Sequence, residues 1–165
     1  MERCCGCGAE FPEMEGPTHP YILSSPGCWQ AYCEVLAREY QDRNYWPLHR
    51  LTVDTYAVQH PGVDNPQARN SVGIHLSRLC LMFDASWTIE RVNGAMQGIT
   101  ARKMEYEWLA PPIHRGNLTV QHVLAARSAT DHLASVEAWA RSVWEVWAEY
   151  HVIAREWVKT SMVNA

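Results

Sequence analysis

The chain contains 165 residues, 47% of them hydrophobic, and carries a formal net charge of −4 at pH 7 with histidine neutral. A nucleic-acid surface is not expected, because such a surface needs concentrated positive charge and this chain has no run of lysine or arginine. A membrane span is not expected either, since no apolar stretch approaches the roughly 20 residues that cross a bilayer.

Residues 1–25 form a segment rich in cysteine, glycine and proline, without a helical period or a hydrophobic face. The segment lacks the basic and apolar regions of a signal peptide, so we expect a cytoplasmic protein with reduced thiols. Three of the six cysteines fall between Cys4 and Cys7. This clustering favours metal ligands over cysteines scattered through a core.

The turn at residues 4–8 (CCGCG) has the pattern of a zinc knuckle. The thiolates of Cys4 and Cys7 are three positions apart and can converge on one ion, and the glycines permit the turn. A tetrahedral structural site needs two further ligands, for which His19 and Cys28 are the next suitable residues. The sequence therefore predicts a metal-binding loop segment, with Zn²⁺ as the expected ion.

Three alternatives to this N-terminal site stay open. The segment can be a flexible tail with exposed thiols, or its first and third cysteines can form a redox pair. Cys5 can also replace Cys4 as the ligand.

Capping residues predict the helices in the first half of the chain. Ser25-Pro26 opens the first helix, because serine caps a helix and proline suits its first turn. Pro61-Gly62 ends the second helix, and Asn65-Pro66 opens the third. The predicted helices span residues 28–40, 44–60 and 65–83.

The second half of the tryptophan-rich chain is predicted to end in one long helix that begins at Ser128. Its apolar residues are spaced alternately by three and four, which is typical of a helix packed lengthwise against others. These residues are Leu133, Val136, Ala140, Val143, Trp147, Tyr150, Ala154 and Trp157. Ahead of it we expect a short helix at 88–96, an extended segment at 100–109 and a short helix at 120–126. Together the elements predict one all-α domain over 1–165, with an up-and-down bundle of four to five helices at 26–160.

A second site is predicted between the second and third helices. The short connection at 61–65 makes these helices antiparallel, so His75 should come level with His49. Two facing histidines can share a metal or act as general acid and base. Asp54 and His132 are available as a third ligand, and Asp54 also as the orienting carboxylate. In the simpler interpretation the histidines are hydrogen-bonded core residues and Asp54 pairs with Arg50.

Four strings of the sequence together resemble a family of small bacterial proteins classed only as a domain of unknown function. They are CxGCGA at residues 4–9, GPTHPY at 16–21, SSPGCW at 24–29 and VDTYAVQHPG at 53–62. The resemblance implies Cys4 rather than Cys5 as a ligand, and it adds His60 and His75 as candidate substitute ligands. The resemblance covers nearly the whole chain, and the candidate site residues that it places in recognisable motifs are Cys4, Cys7, His19, Cys28, Asp54, His60 and His75.

These patterns predict a zinc-binding helical protein of unassigned activity whose N-terminal site is structural. The alternative is a metal-dependent enzyme of the hydrolase or thiol-transfer type, working at the pocket between the second and third helices. A third hypothesis is metal trafficking or sensing, with exchange at Cys5 or His19. The expected partner is a small molecule or a protein, neither of which the sequence identifies, and a homodimer stays open.

Overall fold

The protein is mostly helical in the computed structural model, which describes residues 1–101 and 104–163. In these residues two short antiparallel strands precede seven α-helices, more than the four to five predicted. Short 3₁₀ turns at Trp46–Leu48 and Ala148–Tyr150 precede α2 and α7. No helix in this part of the chain is long and apolar enough to cross a bilayer. The elements are β1 (Glu2–Arg3), β2 (Glu10–Phe11), α1 (Pro26–Gln41), α2 (His49–Gln59), α3 (Pro66–Phe83), α4 (Ile89–Ala101), α5 (Val120–Leu124), α6 (Ala129–Val146) and α7 (His151–Val163).

The predicted caps set the starts of three helices. Ser25 Oγ accepts a hydrogen bond from the Cys28 N–H at 3.3 Å, and Asn65 Oδ1 accepts one from the Ala68 N–H at 2.9 Å. At the start of α6, Ser128 Oγ accepts a hydrogen bond from the Asp131 N–H at 3.1 Å. A polar side chain that accepts from the first turn satisfies a backbone donor that has no partner within the helix. Local sequence therefore determines where α1, α3 and α6 begin.

The predicted single helix over residues 128–157 is wrong, because the chain breaks at Trp147 into α6 and α7. Trp147 has φ −89° and ψ 15°, outside the α-helical region. The His151 ring stacks on Trp144 at 3.6 Å and donates its Nε2–H to the Trp144 carbonyl oxygen at 2.9 Å. The same carbonyl accepts the Trp147 N–H at 3.1 Å, so the side chain of His151 and the backbone of Trp147 both bind it at the break. Both helices pack against α3, but α7 also packs against α4, whereas α6 also packs against α2 and α5.

The extended segment predicted over residues 100–109 is wrong at its start, because α4 continues to Ala101. Arg102 and Lys103 lie outside the described residues. The buried residues of α4 lie at i, i+4 and i+7, which places them on one helical stripe. This stripe packs against Leu81 of α3 and consists of Val92, Met96 and Ile99.

The main core lies where α2 meets α3 and α6, and a buried glutamine links it to a surface loop. Gln59 at the end of α2 accepts a hydrogen bond from Trp139 Nε1 at 2.9 Å. Its Nε2 donates to the carbonyl oxygens of Arg115 at 2.8 Å and Leu118 at 2.9 Å. The loop before α5 is therefore held against the C-terminal end of α2.

The N-terminal segment has an apolar anchor, although its sequence predicts no hydrophobic face. Phe11 in β2 is 2% exposed and lies so close to the start of α1 that a Cβ on Gly27 would be 2.9 Å from the Phe11 Cβ. Gln121 on α5 donates to the Glu10 carbonyl oxygen at 2.6 Å. The hairpin is thus docked on α1 and α5 by contacts that need no metal.

Candidate metal centre

Three cysteines and one histidine lie together in the interior: Cys4, Cys7, Cys28 and His60. One candidate ligand atom of each lies within 4.8 Å of the other three, and all four residues are buried. The Cys7 and Cys28 sulfurs are 3.9 Å apart, and Cys28 Sγ is 3.4 Å from His60 Nε2. Around a tetrahedral zinc ion with usual bond lengths these separations are about 3.8 Å and about 3.6 Å. These two separations match one tetrahedral ion, and the other pairs of candidate ligand atoms lie within 4.8 Å.

Three separate segments supply these side chains. Cys4 and Cys7 lie in the turn between β1 and β2, Cys28 lies in the first turn of α1, and His60 follows the last residue of α2. An ion bound by all four would therefore join the hairpin to two helices of the bundle.

Backbone hydrogen bonds close the cysteine turn. The Cys4 N–H donates to the Ala9 carbonyl oxygen at 2.8 Å, and the Gly8 N–H donates to the Cys4 carbonyl oxygen at 2.9 Å. Gly8 has φ +77°, a conformation that glycine adopts without a steric cost. The turn is thus held in shape by its own backbone, and both sulfurs point to the same side of the hairpin, toward Cys28.

Neighbouring groups orient the sulfurs and the imidazole. His60 Nδ1–H donates to the Tyr56 carbonyl oxygen at 2.8 Å, which leaves the lone pair of Nε2 directed at Cys28. The Tyr56 hydroxyl lies 3.5 Å from Cys28 Sγ, and the Ser25 N–H donates to Cys4 Sγ at 3.4 Å. Metal-binding histidines and thiolates in proteins are held by this kind of outer contact.

Burial of three thiols side by side separates their pKa values. Hydrogen bonds with Cys28 and Cys7 lower the pKa of Cys4, and those with Cys4 and Cys7 raise the pKa of Cys28. The bond with Cys28 favours the Cys7 thiolate, but the bond with Cys4 and burial raise the pKa of Cys7 to about 12. One thiolate forms readily in this group, and a divalent cation would allow all three to ionise.

Gly6 is expected to be essential to this geometry. A Cβ there would overlap His60 Cδ2 and lie 2.6 Å from the Leu23 carbonyl oxygen. Gly6→Ala should therefore displace His60, weaken metal binding by about tenfold or more and lower the free energy of unfolding by about 1–3 kcal/mol. Chelator competition and urea denaturation would measure the two effects. The matched control is Gly94→Ala in α4, where a Cβ meets no atom within 4 Å and a stabilisation of up to about 1 kcal/mol is expected. Unchanged metal affinity in Gly6→Ala would contradict the prediction.

His19, predicted as a ligand, lies outside this group, and His60 takes the fourth place. His19 Nδ1 accepts weak hydrogen bonds from the backbone N–H groups of Tyr21 at 3.4 Å and Ile22 at 3.3 Å. Its ring packs edge-on against Tyr21 at 4.4 Å. The structure therefore gives His19 contacts that shape its own loop. The sequence predicts His60 only as a substitute ligand, because the resemblance includes it but no spacing links it to the cysteines.

The remaining cysteines lie apart from the group. Cys5 is exposed on the turn, and Cys33 is half-buried on α1. Cys80 is buried in α3, and burial raises its pKa to about 11, as suits a small core residue. Of the two candidate ligands at the start of the turn, the structure places Cys4 with the group.

The structure does not bring His49 and His75 together. His75 Nδ1 bonds Asp54 Oδ1 at 2.8 Å, whereas His49 Nδ1 bonds Glu39 Oε2 at 2.7 Å. His75 therefore comes level with Asp54, five residues and more than one helical turn beyond His49. Asp54 takes its second hydrogen bond from Arg78 Nε at 2.6 Å rather than from the predicted arginine four residues before it. Within the described residues, the cysteine–histidine group is the one set of three or more candidate ligands with metal-binding spacing.

Fold and site together define a small, mostly helical protein with a buried group of three cysteines and one histidine between an N-terminal hairpin and two helices. The chain belongs to the family of unknown function DUF5946, whose model matches residues 2–148. The match includes all four members of the group and the helices α1 to α6. Neither the curated proteins nor the solved structures give a match to the chain.

Proposed function

We propose that this protein binds one zinc ion through Cys4, Cys7, Cys28 and His60, and that the ion has a structural role. The observation that carries the proposal is the closed nature of the group: its members are between 0% and 6% exposed. Structural zinc sites fill all four tetrahedral positions with protein ligands, whereas catalytic sites keep one position for water. A set rich in thiolates favours zinc over magnesium, calcium or manganese. In this role the ion ties the N-terminal hairpin to α1 and α2.

Elemental analysis of protein purified without added metal tests the proposal. We expect one equivalent of zinc per chain, and less than about one tenth of that in Cys7→Ser, because three ligands hold the ion far more weakly than four. Cys5→Ser is the matched control, since Cys5 lies in the same turn but is exposed, and it should retain the full equivalent. A protein without metal, or a Cys7→Ser variant that retains it, would refute the site.

The second candidate function is an enzyme of the hydrolase or thiol-transfer type. It is favoured by His75, whose side chain is 22% exposed while its Nδ1 bonds the buried Asp54 carboxylate. A carboxylate that orients an imidazole in this way is the arrangement of a general base. His75 would be the base and Asp54 the positioning residue. His49 is not part of this pair, since its partner is Glu39. Two equivalents of metal in the elemental analysis would support the metal-dependent form of this candidate.

A further inference from the structure

A cleft of about 380 Å³ lies where α2, α3 and α4 meet. This volume is within the range of sites that hold small molecules, roughly 300–1,000 Å³. An adjoining cavity of about 320 Å³ shares Arg50, Arg78, Met96 and Thr100 with it, so a ligand can extend beyond the first cavity. The polar side chains that line the cleft include Arg50, Asp54, Asn70, His75 and Arg78.

A buried carboxylate organises the wall of this cleft. Asp54 is 2% exposed, and its two oxygens accept hydrogen bonds from His75 Nδ1 and Arg78 Nε. Arg78 Nη2 also donates to Asn93 Oδ1 on α4 at 2.6 Å, which joins the third helix to the pair. Because a carboxylate only accepts hydrogen bonds, the proton of a neutral His75 lies on Nδ1. Its Nε2 then has a free lone pair on the partly exposed side of the ring.

The cleft has an excess of positive charge although the whole chain is acidic. Asp54 is the one acidic residue among those that line it, and Arg78 balances that charge. Arg50 is exposed and has no hydrogen bond or ion pair among the described residues. It therefore leaves one unmatched cation at the cleft. Such a cation attracts a negatively charged group, and arginine binds phosphate and carboxylate through its fork of N–H donors.

We propose that this cleft binds a small hydroxylated anion, that is, a molecule with a phosphate or carboxylate group and a hydroxyl group. Arg50 holds the anionic group, and the hydroxyl group donates to His75 Nε2. Asp54 and Arg78 act as positioning residues, because they fix the imidazole and are themselves mutually paired. The Asn70 amide supplies a donor and an acceptor for the remaining polar atoms of the ligand.

Calorimetric titrations of the protein as purified test this site, with four probes at constant ionic strength. Inorganic phosphate and glycerol 3-phosphate form one pair, and acetate and glycolate form the other. Each pair compares an anion with its hydroxylated counterpart. We expect saturable binding of at least one hydroxylated probe, several-fold tighter than its simpler partner. The pair that binds more tightly identifies the natural ligand as a phosphate or a carboxylate.

Two variants assign the binding to the named residues. Arg50→Gln should weaken it by about tenfold or more, since the variant loses the charge-assisted hydrogen bonds to the anionic group. Arg43→Gln, an exposed arginine that does not line the cleft, should bind like the wild type. His75→Gln should remove the preference for the hydroxylated probe. Failure of all four probes to saturate, or equal binding by Arg50→Gln and Arg43→Gln, would overturn the proposal. These results do not depend on the zinc site, whose test is metal content.

Discussion

Removal of the proposed zinc ion is expected to release the cysteine turn of the N-terminal hairpin, while β2 and the helical core stay in place. A ligand that binds only the folded state stabilises it by about 4 kcal/mol at a thousandfold excess over its dissociation constant. For a chain of this size such a change corresponds to a melting temperature lower by about 10 °C. The helices should survive, because α2, α3 and α6 have a core of their own and Phe11 still anchors β2.

Hydrogen exchange before and after chelation measures this release at individual amides. Protection should fall at the amides of Cys4, Gly8 and Ser25. The first two donate to carbonyl oxygens of the turn, and the Ser25 N–H donates to Cys4 Sγ. Protection of the α6 amides should be unaffected, and added zinc should restore protection in the cysteine turn. Metal-free protein with unchanged melting and unchanged protection would show that the ion has no structural role. Release within seconds of adding chelator would instead favour the trafficking or sensing hypothesis.

Cys4, Cys7 and Cys28 could be predicted as members of one candidate metal group because their signal is local. Cys4 and Cys7 have the spacing of a zinc knuckle. Cys28 lies in the first turn of a helix whose start is predicted by Ser25 and Pro26. His60 carries no such signal, since it follows Cys28 by 32 residues. The distance between His60 and Cys28 depends on how α2 packs against α1, which is a property of the tertiary structure. His19 is nearer in sequence, but its Nδ1 serves the backbone of its own loop.

The break at Trp147 was missed because the apolar period continues through it. Val143, Trp147 and Ala154 keep the spacing of one helix and are all buried. Periodicity reports which residues face a core, but it does not report whether the axis changes direction between them. The mostly helical class of the fold was therefore predictable, while the number and orientation of its last helices depended on contacts with α3 and α4.

Glu39 is a second residue whose place could not be read from the sequence, since it resembles a surface acid on α1. It is 1% exposed and accepts hydrogen bonds from three side chains on two other segments. Oε2 accepts from His49 Nδ1 at 2.7 Å, and Oε1 accepts from Thr52 Oγ1 at 2.6 Å and His132 Nε2 at 3.0 Å. His132 lies 93 residues away, so only the folded chain assembles this network. It joins α1, α2 and α6 at one point.

Glu39→Gln is expected to lower the free energy of unfolding by about 3–5 kcal/mol, because removing one partner of a buried charged network leaves the others unsatisfied. The amide also presents an N–H₂ group where the carboxylate accepts hydrogen bonds. Urea denaturation measures the loss. Glu34→Gln is the matched control on the same helix, since Glu34 is exposed and accepts a hydrogen bond from the exposed Gln30 side chain. Its effect should stay within about 0.5 kcal/mol. Equal stability of the two variants would contradict a role for the network.

The stabilisation by Glu39 should also depend on pH in a defined direction. Burial alone would raise the pKa of this carboxyl group, but the hydrogen bonds from His132, His49 and Thr52 outweigh burial and lower it below its ordinary value of 4.5. A group whose pKa is lower in the folded state contributes its full stabilisation above the unfolded value and loses it as the pH falls through the folded value. The difference in stability between wild type and Glu39→Gln should therefore shrink as the pH falls below about 4.5. A difference that grows on acidification would show that the carboxylate is not the form the folded network requires.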